Sequence, residues 1–238
     1  YLQVFNRLEQ YTLLNQIPEK TELIIMGGTF PTYPTEYQDS FIKDALKAMN
    51  DFSFLFFKED DFDFKAFKGF FELPCNIYDK ERIERIHKKL LDIKGSTILE
   101  QEQLKNENTK IRCIAFCIES KPDWSMEPHI NQILKLGATR VELGIQTLYD
   151  KILKKTNRGH TLNDSIKATQ LLKDSFLKCI YHIMPGLIDT TKDMDIANFK
   201  EYFFNQDYKP DGLKIYPCMV LPGTPLYEQY KKGLFKPL

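Results

Sequence analysis

Between Arg140 and Thr161 the chain reads RVELGIQTLYDKILKKTNRGHT. Glu142, Gly144 and Gln146 recur every second residue, so on a strand they share one face. Arg158 and His160 follow in a loop after an amphipathic stretch. A carboxylate and an amide at the carboxyl end of a strand, with a guanidinium in the next loop, are groups with which a β/α enzyme holds a charged organic ligand. An inward Glu142 is costly unless paired, so a cation or ammonium partner is expected. Arg158 could grip a ligand carboxylate through its planar fork, although an arginine after a helix is as readily a surface residue. Lys214 and Tyr216, two apart in GLKIY, share a face, and a lysine in an apolar strand reads as an inward, paired ammonium. Glu142, Lys214 and Tyr216 are therefore the candidate catalytic groups.

Upstream, Gly27 and Gly28 follow the apolar run TELIIM and precede Thr29, a place where the backbone can approach a ligand without a Cβ in the way. Glu119 ends the run RCIAFCIE, where a carboxylate could accept from a ribose diol or simply meet solvent. His160 reads as a helix-start or surface histidine. His182 points either into the sheet interior or at the surrounding helices. The five cysteines, at 75, 113, 117, 179 and 218, include one C-x3-C pair that invites an iron-sulfur or zinc reading. IRCIAFCI is instead read as a buried strand with both thiols on one face, and no metal ligand is assigned.

These groups need elements to carry them. Apolar runs of strand type lie at 21–26, 112–119, 139–145, 177–184 and 212–216. Amphipathic helical stretches lie near 36–50, 79–92, 126–136, 147–156, 162–174, 192–205 and 224–232, and the chain opens on a helix over 2–16. Five strands joined by helices predict an α/β fold whose parallel sheet curls or closes. An opening helix with no strand before it predicts that the first barrel unit lies upstream of this chain. Nine of the eighteen phenylalanines fall between Phe52 and Phe71, interleaved with Glu59, Asp60, Asp61 and Asp63, which predicts an ordered insertion over about 52–78 packed on the barrel.

Thirty-three basic residues balance thirty-three acidic ones, so bulk charge gives no argument for nucleic acid and any such contact is a local patch. The odd cysteine number, with neither a secretory signal nor a long apolar span, fits a reducing cytoplasm and no membrane partner.

As a set, ELIIMGGTFP, ESKPD, ATRVELGIQTLYD, TNRGHT, YHIMPGL, KPDGLKIYP and PGTPLYE resemble, in order and spacing, the radical S-adenosylmethionine (radical SAM) domain of the Elongator catalytic subunit family of tRNA-modifying acetyltransferases. The resemblance covers nearly the whole chain and thins between about 52 and 110. It implies a partial (β/α)6 barrel holding a [4Fe-4S] cluster and S-adenosylmethionine. It also implies chemistry in which a 5′-deoxyadenosyl radical activates acetyl-CoA, so that a carboxymethyl group is added to C5 of the wobble uridine. Carried over by position, Gly27, Gly28 and Thr29 match the motif along the methionine moiety and Glu119 the ribose position. Gln146 and Arg158 match groups lining the cofactor cleft. Lys20, otherwise a solvated strand-edge lysine, matches a residue the family links to acetyl-CoA.

Three departures qualify the match. The family's cluster-binding cysteines lie upstream of this chain and none of its five cysteines replaces them, so the chain alone is expected to be inactive. The acetyltransferase domain and its zinc-binding neighbour would follow Leu238. Ser120 and Lys121 stand where the family has Thr and Arg, and lysine lacks the bidentate fork. The implied partners are the anticodon loop of tRNA, the acetyltransferase domain of the same parent chain and, where the family assembles them, other Elongator subunits. Lys151, Lys154, Lys155 and Arg158 form the basic rim where such a loop would sit. Rival readings are another radical SAM enzyme, of methylthiotransferase or coproporphyrinogen dehydrogenase type, and a non-catalytic tRNA-binding or assembly barrel.

Overall fold

The computed structural model describes residues 1–76 and 78–237, so Ile77, within the expected insertion, and Leu238 lie outside the described residues. The chain divides into two compact units that interleave along the sequence: Tyr1–Leu23 with Pro34–Phe116, and Ile24–Tyr33 with Cys117–Leu238.

The first unit begins with α1 (Leu2–Leu13) and the start of β1 (Lys20–Ile25). It continues through α2 (Thr35–Phe56) and a two-stranded hairpin, β2 (Phe57–Lys58) with β3 (Asp61–Phe62). Then come α3 (Phe64–Phe70), α4 (Lys80–Lys94), α5 (Leu99–Asn106) and the start of β4 (Arg112–Ser120). The phenylalanine-rich stretch supplies this unit's core: Phe52, Phe56, Phe67 and Phe71 are each at most 2% exposed and join Phe5, Leu8, Ile86 and Leu90 in one cluster. Phe52 meets Phe56 edge-on with ring centroids 4.7 Å apart, the arrangement aromatic quadrupoles favour.

Helix α2 runs six residues beyond the expected 36–50 because the phenylalanines continue its buried stripe. Helices α3 and α5 were not foreseen. Asp63 caps α3 by accepting from Ala66 N–H. The short α5 is held by a polar core: Asn50 Nδ2 donates to Glu102 Oε2 at 2.8 Å, and Asn106 Nδ2 donates to Asn50 Oδ1 at 2.8 Å. Glu102 is fully buried; burial would raise its carboxyl, but hydrogen bonds from Asn50, Lys105 and Thr97 hold it below its ordinary value.

In the second unit α6 (Glu127–Lys135), β5 (Arg140–Gln146), α7 (Asp150–Lys155), α8 (Leu162–Asp174), β6 (Lys178–Ile183), α9 (Lys192–Phe204), β7 (Gly212–Ile215) and α10 (Pro225–Lys231) alternate as in an incomplete β/α barrel. All five expected strands are present, in the sheet order β1-β4-β5-β6-β7. The pairs β4–β5, β5–β6 and β6–β7 are parallel. The helices start where side chains can cap them: Thr161 and Asp164 form a reciprocal capping box on α8, and Thr191 and Thr224 cap α9 and α10.

Alternation sorts the sheet's two faces. Ile118, Val141, Leu143, Cys179, Tyr181 and Ile183 are all buried on one face, and the Tyr181 hydroxyl lies 2.5 Å from Thr169 Oγ1 of α8. The other face carries Cys117, Glu119, Arg140, Glu142, Gly144, His182 and Lys214.

Candidate active site

Register places the polar face. Glu119 pairs with Glu142 across β4–β5, and His182 pairs with Lys214 across β6–β7. Glu142, 1% exposed, is the hub of this face. Its Oε2 lies 2.8 Å from His182 Nε2 and in close contact with Lys214 Nζ, while its Oε1 lies 3.3 Å from Arg140 Nη2. The Cys117 thiol hydrogen-bonds to it as well. Burial would raise the Glu142 carboxyl, but the bonds from Lys214, His182 and Cys117 outweigh it and hold the group below its ordinary value. For Lys214 burial is likewise overcome by the Glu142 hydrogen bond and charge, and its pKa is raised. Lys214 is therefore a permanent cation at neutral pH, suited to donating to an acceptor and unsuited to removing a proton. Burial pushes the Cys117 thiol up to about 12, so it stays protonated at neutral pH.

The cationic partner expected for an inward Glu142 and the paired, inward ammonium expected of Lys214 are thus each other, and the undecided His182 turns inward. One oxygen or nitrogen from each of Glu119, Glu142 and His182 falls within 4.8 Å of the others. Such a trio could bridge a divalent ion, but the ammonium and guanidinium already on Glu142 oppose a further cation. Tyr216, past the end of β7, is 45% exposed; its ring centroid lies 5.2 Å from that of His182, and its N–H donates to Ile183 O at 2.9 Å.

A second cluster stands at the end of β5. Arg158 Nη2 donates to Gly144 O at 3.3 Å. A Cβ on Gly144 would stand 2.9 Å from Arg158 Nη2 and 3.0 Å from Gln146 Nε2, so glycine lets both side-chain tips lie there without shifting. The buried Gln146 Oε1 and Arg158 Nε have no protein partner. Burial lowers the Arg158 pKa, with Asp123 opposing the shift. Lys121 Nζ donates to Asp123 Oδ2 at 3.1 Å. At the end of β1, Gly27 N–H reaches Glu119 Oε2 at 3.4 Å, and Gly27 and Gly28 have φ of 95° and 85° with open space where a side chain would be. Thr29 follows, half-buried, at the cap of the 3-10 turn Phe30–Thr32. Open space beside two glycines, a glycine hemmed by two polar side chains and an amide oxygen lacking its donor together fit a polar organic ligand.

Several expectations are corrected. His160 is 4% exposed rather than at the surface. Burial lowers its pKa, and the Arg158 charge adds to the effect, so the ring is neutral. Arg158 turns inward and is not on the basic rim; of the α7 lysines, Lys151 and Lys154 are exposed and Lys155 contacts Asp189 closely. Helix α7 starts at Asp150, later than the expected 147, because Thr147 and Leu148 are engaged by Asn198. Asn198 carried no signal beyond being a polar residue within DIANF. Lys20, exposed at the start of β1, belongs to the first unit, and the remaining proposed cofactor residues belong to the second. No three cysteines converge among the described residues, so these residues do not fit an iron-sulfur cluster. Among them, no helix is long and apolar enough to cross a membrane.

Comparison with known proteins gives these features a context. A model of the radical SAM superfamily matches residues 8–199, and one of the radical SAM C-terminal domain matches residues 210–238. The tRNA uridine(34) acetyltransferase of Methanocaldococcus infernus is 46% identical over 237 residues, covering 100% of this chain and 36% of that protein. Elongator complex protein 3 of Homo sapiens is 33% identical over 236 residues, covering 99% of this chain and 36% of that protein. The solved structure of the archaeal Methanocaldococcus infernus Elp3 with an N-terminal deletion superposes with a TM-score of 0.79 at 46% identity, covering 100% of this chain and 46% of that one. The chain thus spans about a third of the length of the curated relatives it matches.

Proposed function

The chain belongs to the radical SAM superfamily, and from that premise we propose that it is the radical-generating part of an enzyme that adds an acetyl-derived carboxymethyl group to C5 of the wobble uridine in tRNA. The tRNA uridine(34) substrate and the acyl transfer rest on the name of one relative, and the carboxymethyl product at C5 rests on the family resemblance in the sequence. The observation that carries the cofactor reading is the glycine at 144, hemmed by Arg158 and by a Gln146 whose buried amide oxygen lacks a partner. The proposed domain layout is a radical core over 1–238 with a phenylalanine-rich insertion near 52–78, the cluster loop and the acetyltransferase domain being supplied by other parts of the parent chain.

In this reading S-adenosylmethionine, bound with a [4Fe-4S] cluster, supplies the 5′-deoxyadenosyl radical. The protein's part is to bind, orient and exclude water. Glu119 accepts from the ribose hydroxyls, Gly27, Gly28 and Thr29 lie along the methionine moiety, and Gln146 and Arg158 line the cleft. Lys214, held protonated by Glu142, and the exposed Tyr216 present two donors toward the acceptor oxygens of the substrate. Lys20 would serve acetyl-CoA, the co-substrate. The exposed Lys151 and Lys154 offer phosphate contacts for an anticodon loop, and a cytoplasmic setting follows from that substrate.

The test is formation of 5′-deoxyadenosine by the full-length protein, reconstituted anaerobically with iron and sulfide and supplied with dithionite and tRNA. Glu119→Ala is expected to lower the rate at least about tenfold, the order expected for losing charged hydrogen bonds to a diol. No product from a protein that carries its cluster would sink the radical reading and favour a tRNA-binding scaffold.

A further inference from the structure

We propose that Asn198 is a positioning residue that holds a strained turn at the end of β5 and thereby aims the Gln146 amide at the cofactor. The inference rests on the cofactor reading above.

Gln146 has a φ of 69°, a left-handed conformation that disfavours side chains other than those of glycine and asparagine. Thr147 N–H donates back to Ile145 O at 2.9 Å, closing a three-residue turn around Gln146. The pairing of β5 with β6 shifts register between Leu143 and Gln146, as at a bulge, which re-aims the side chain that follows. The Gln146 amide consequently stands with Arg158 beside Gly144.

A non-glycine residue stays in such a conformation only where its surroundings over-determine it. Two groups do so here. Met184 N–H donates to Gln146 O at 2.9 Å. From α9, Asn198 Nδ2 donates to Thr147 Oγ1 at 3.1 Å while Asn198 Oδ1 accepts from Leu148 N–H at 3.3 Å. Asn198 and Thr147 are each at most 6% exposed. A residue needed only for packing would be apolar at these places, and burying two polar side chains there is rational only if the backbone conformation they hold is itself required.

The experiment is calorimetric titration of the anaerobically reconstituted full-length protein with S-adenosylhomocysteine, with melting temperature as the check on folding. Asn198→Ala is expected to weaken binding about tenfold, the order set by one buried hydrogen bond, and Gln146→Gly to weaken it similarly. In the double Asn198→Ala/Gln146→Gly binding should be no weaker than in Gln146→Gly alone, because glycine adopts the positive φ unaided and no amide remains to be aimed. If Asn198→Ala does not fold, Thr147→Val reads the same contact, with Thr147→Ser expected to restore wild-type affinity. Multiplying losses in the double, or wild-type affinity in both Asn198→Ala and Thr147→Val, would overturn the proposal while leaving the cofactor site standing. Failure of the wild type itself to bind would overturn the cofactor reading and this proposal with it.

Discussion

Glu142, 1% exposed, meets Arg140, His182 and Lys214 at once, so removing any one of them leaves a buried carboxylate partly uncompensated. Lys214→Met should cost about 1–2 kcal/mol in urea unfolding, discounted because the lysine is a third exposed and the other two partners remain. Adding Glu142→Gln should recover part of it. The pH dependence has a definite sign. The stability tied to the depressed Glu142 carboxyl is complete above the ordinary carboxyl range and is lost as pH falls through the depressed value. That tied to the raised Lys214 is complete below the ordinary lysine value and is lost as pH rises through the raised one. Lys214→Met should therefore flatten both limbs of the stability profile, and an unchanged profile would refute the coupling. At this scale the strand period was enough to expect a partner for Glu142 and for Lys214, since both sit in apolar runs where a charge needs one, but not that they are each other's. The period could not orient His182, because it fixes which residues share a face and not which face is interior. It had nothing to say of His160 or Asn198, whose burial follows from the turn at Gln146.

The strands were legible because each is a short apolar run, and β4, β5 and β6 bury one face in the core. Helix α5, LEQEQLKN, was not, because its buried side is polar: Glu102 and Asn106 face Asn50 rather than an apolar core. Helix α3 was hidden by a run of phenylalanines with no clear period. The element-level prediction contrasts two of those rings. Phe52, fully buried among Phe5, Phe56 and Phe67, should cost about 3–5 kcal/mol on replacement by alanine. Phe54, two residues along the same helix and 87% exposed, should change stability by no more than about 0.5 kcal/mol. Equal losses in chemical denaturation would contradict the assignment of the α2 faces.

For the chain as a whole, a formal net charge of +0 leaves attraction of the proposed tRNA partner to local groups. Of the α7 lysines, Lys155 is engaged by Asp189, so Lys151 and Lys154 carry the local charge. Replacing both by alanine in the full-length protein should reduce the slope of log affinity against log salt by about 1.4, whereas Lys155→Ala should move it by half that per residue or less. Equal slopes for the two variants and the unsubstituted protein would refute the proposed tRNA contact at α7. The Glu142 hub has a consequence for assembly too. Its partners come from β4 through Cys117, β6 through His182 and β7 through Lys214, with Arg140 on its own strand. A one-residue slip of β5 would turn Glu142 to the opposite face and part it from Lys214, and a slip of β7 would do the same to Lys214. The carboxylate thus proofreads strand alignment during folding: a sheet assembled out of step is penalised at the ion pair that marks the correct register.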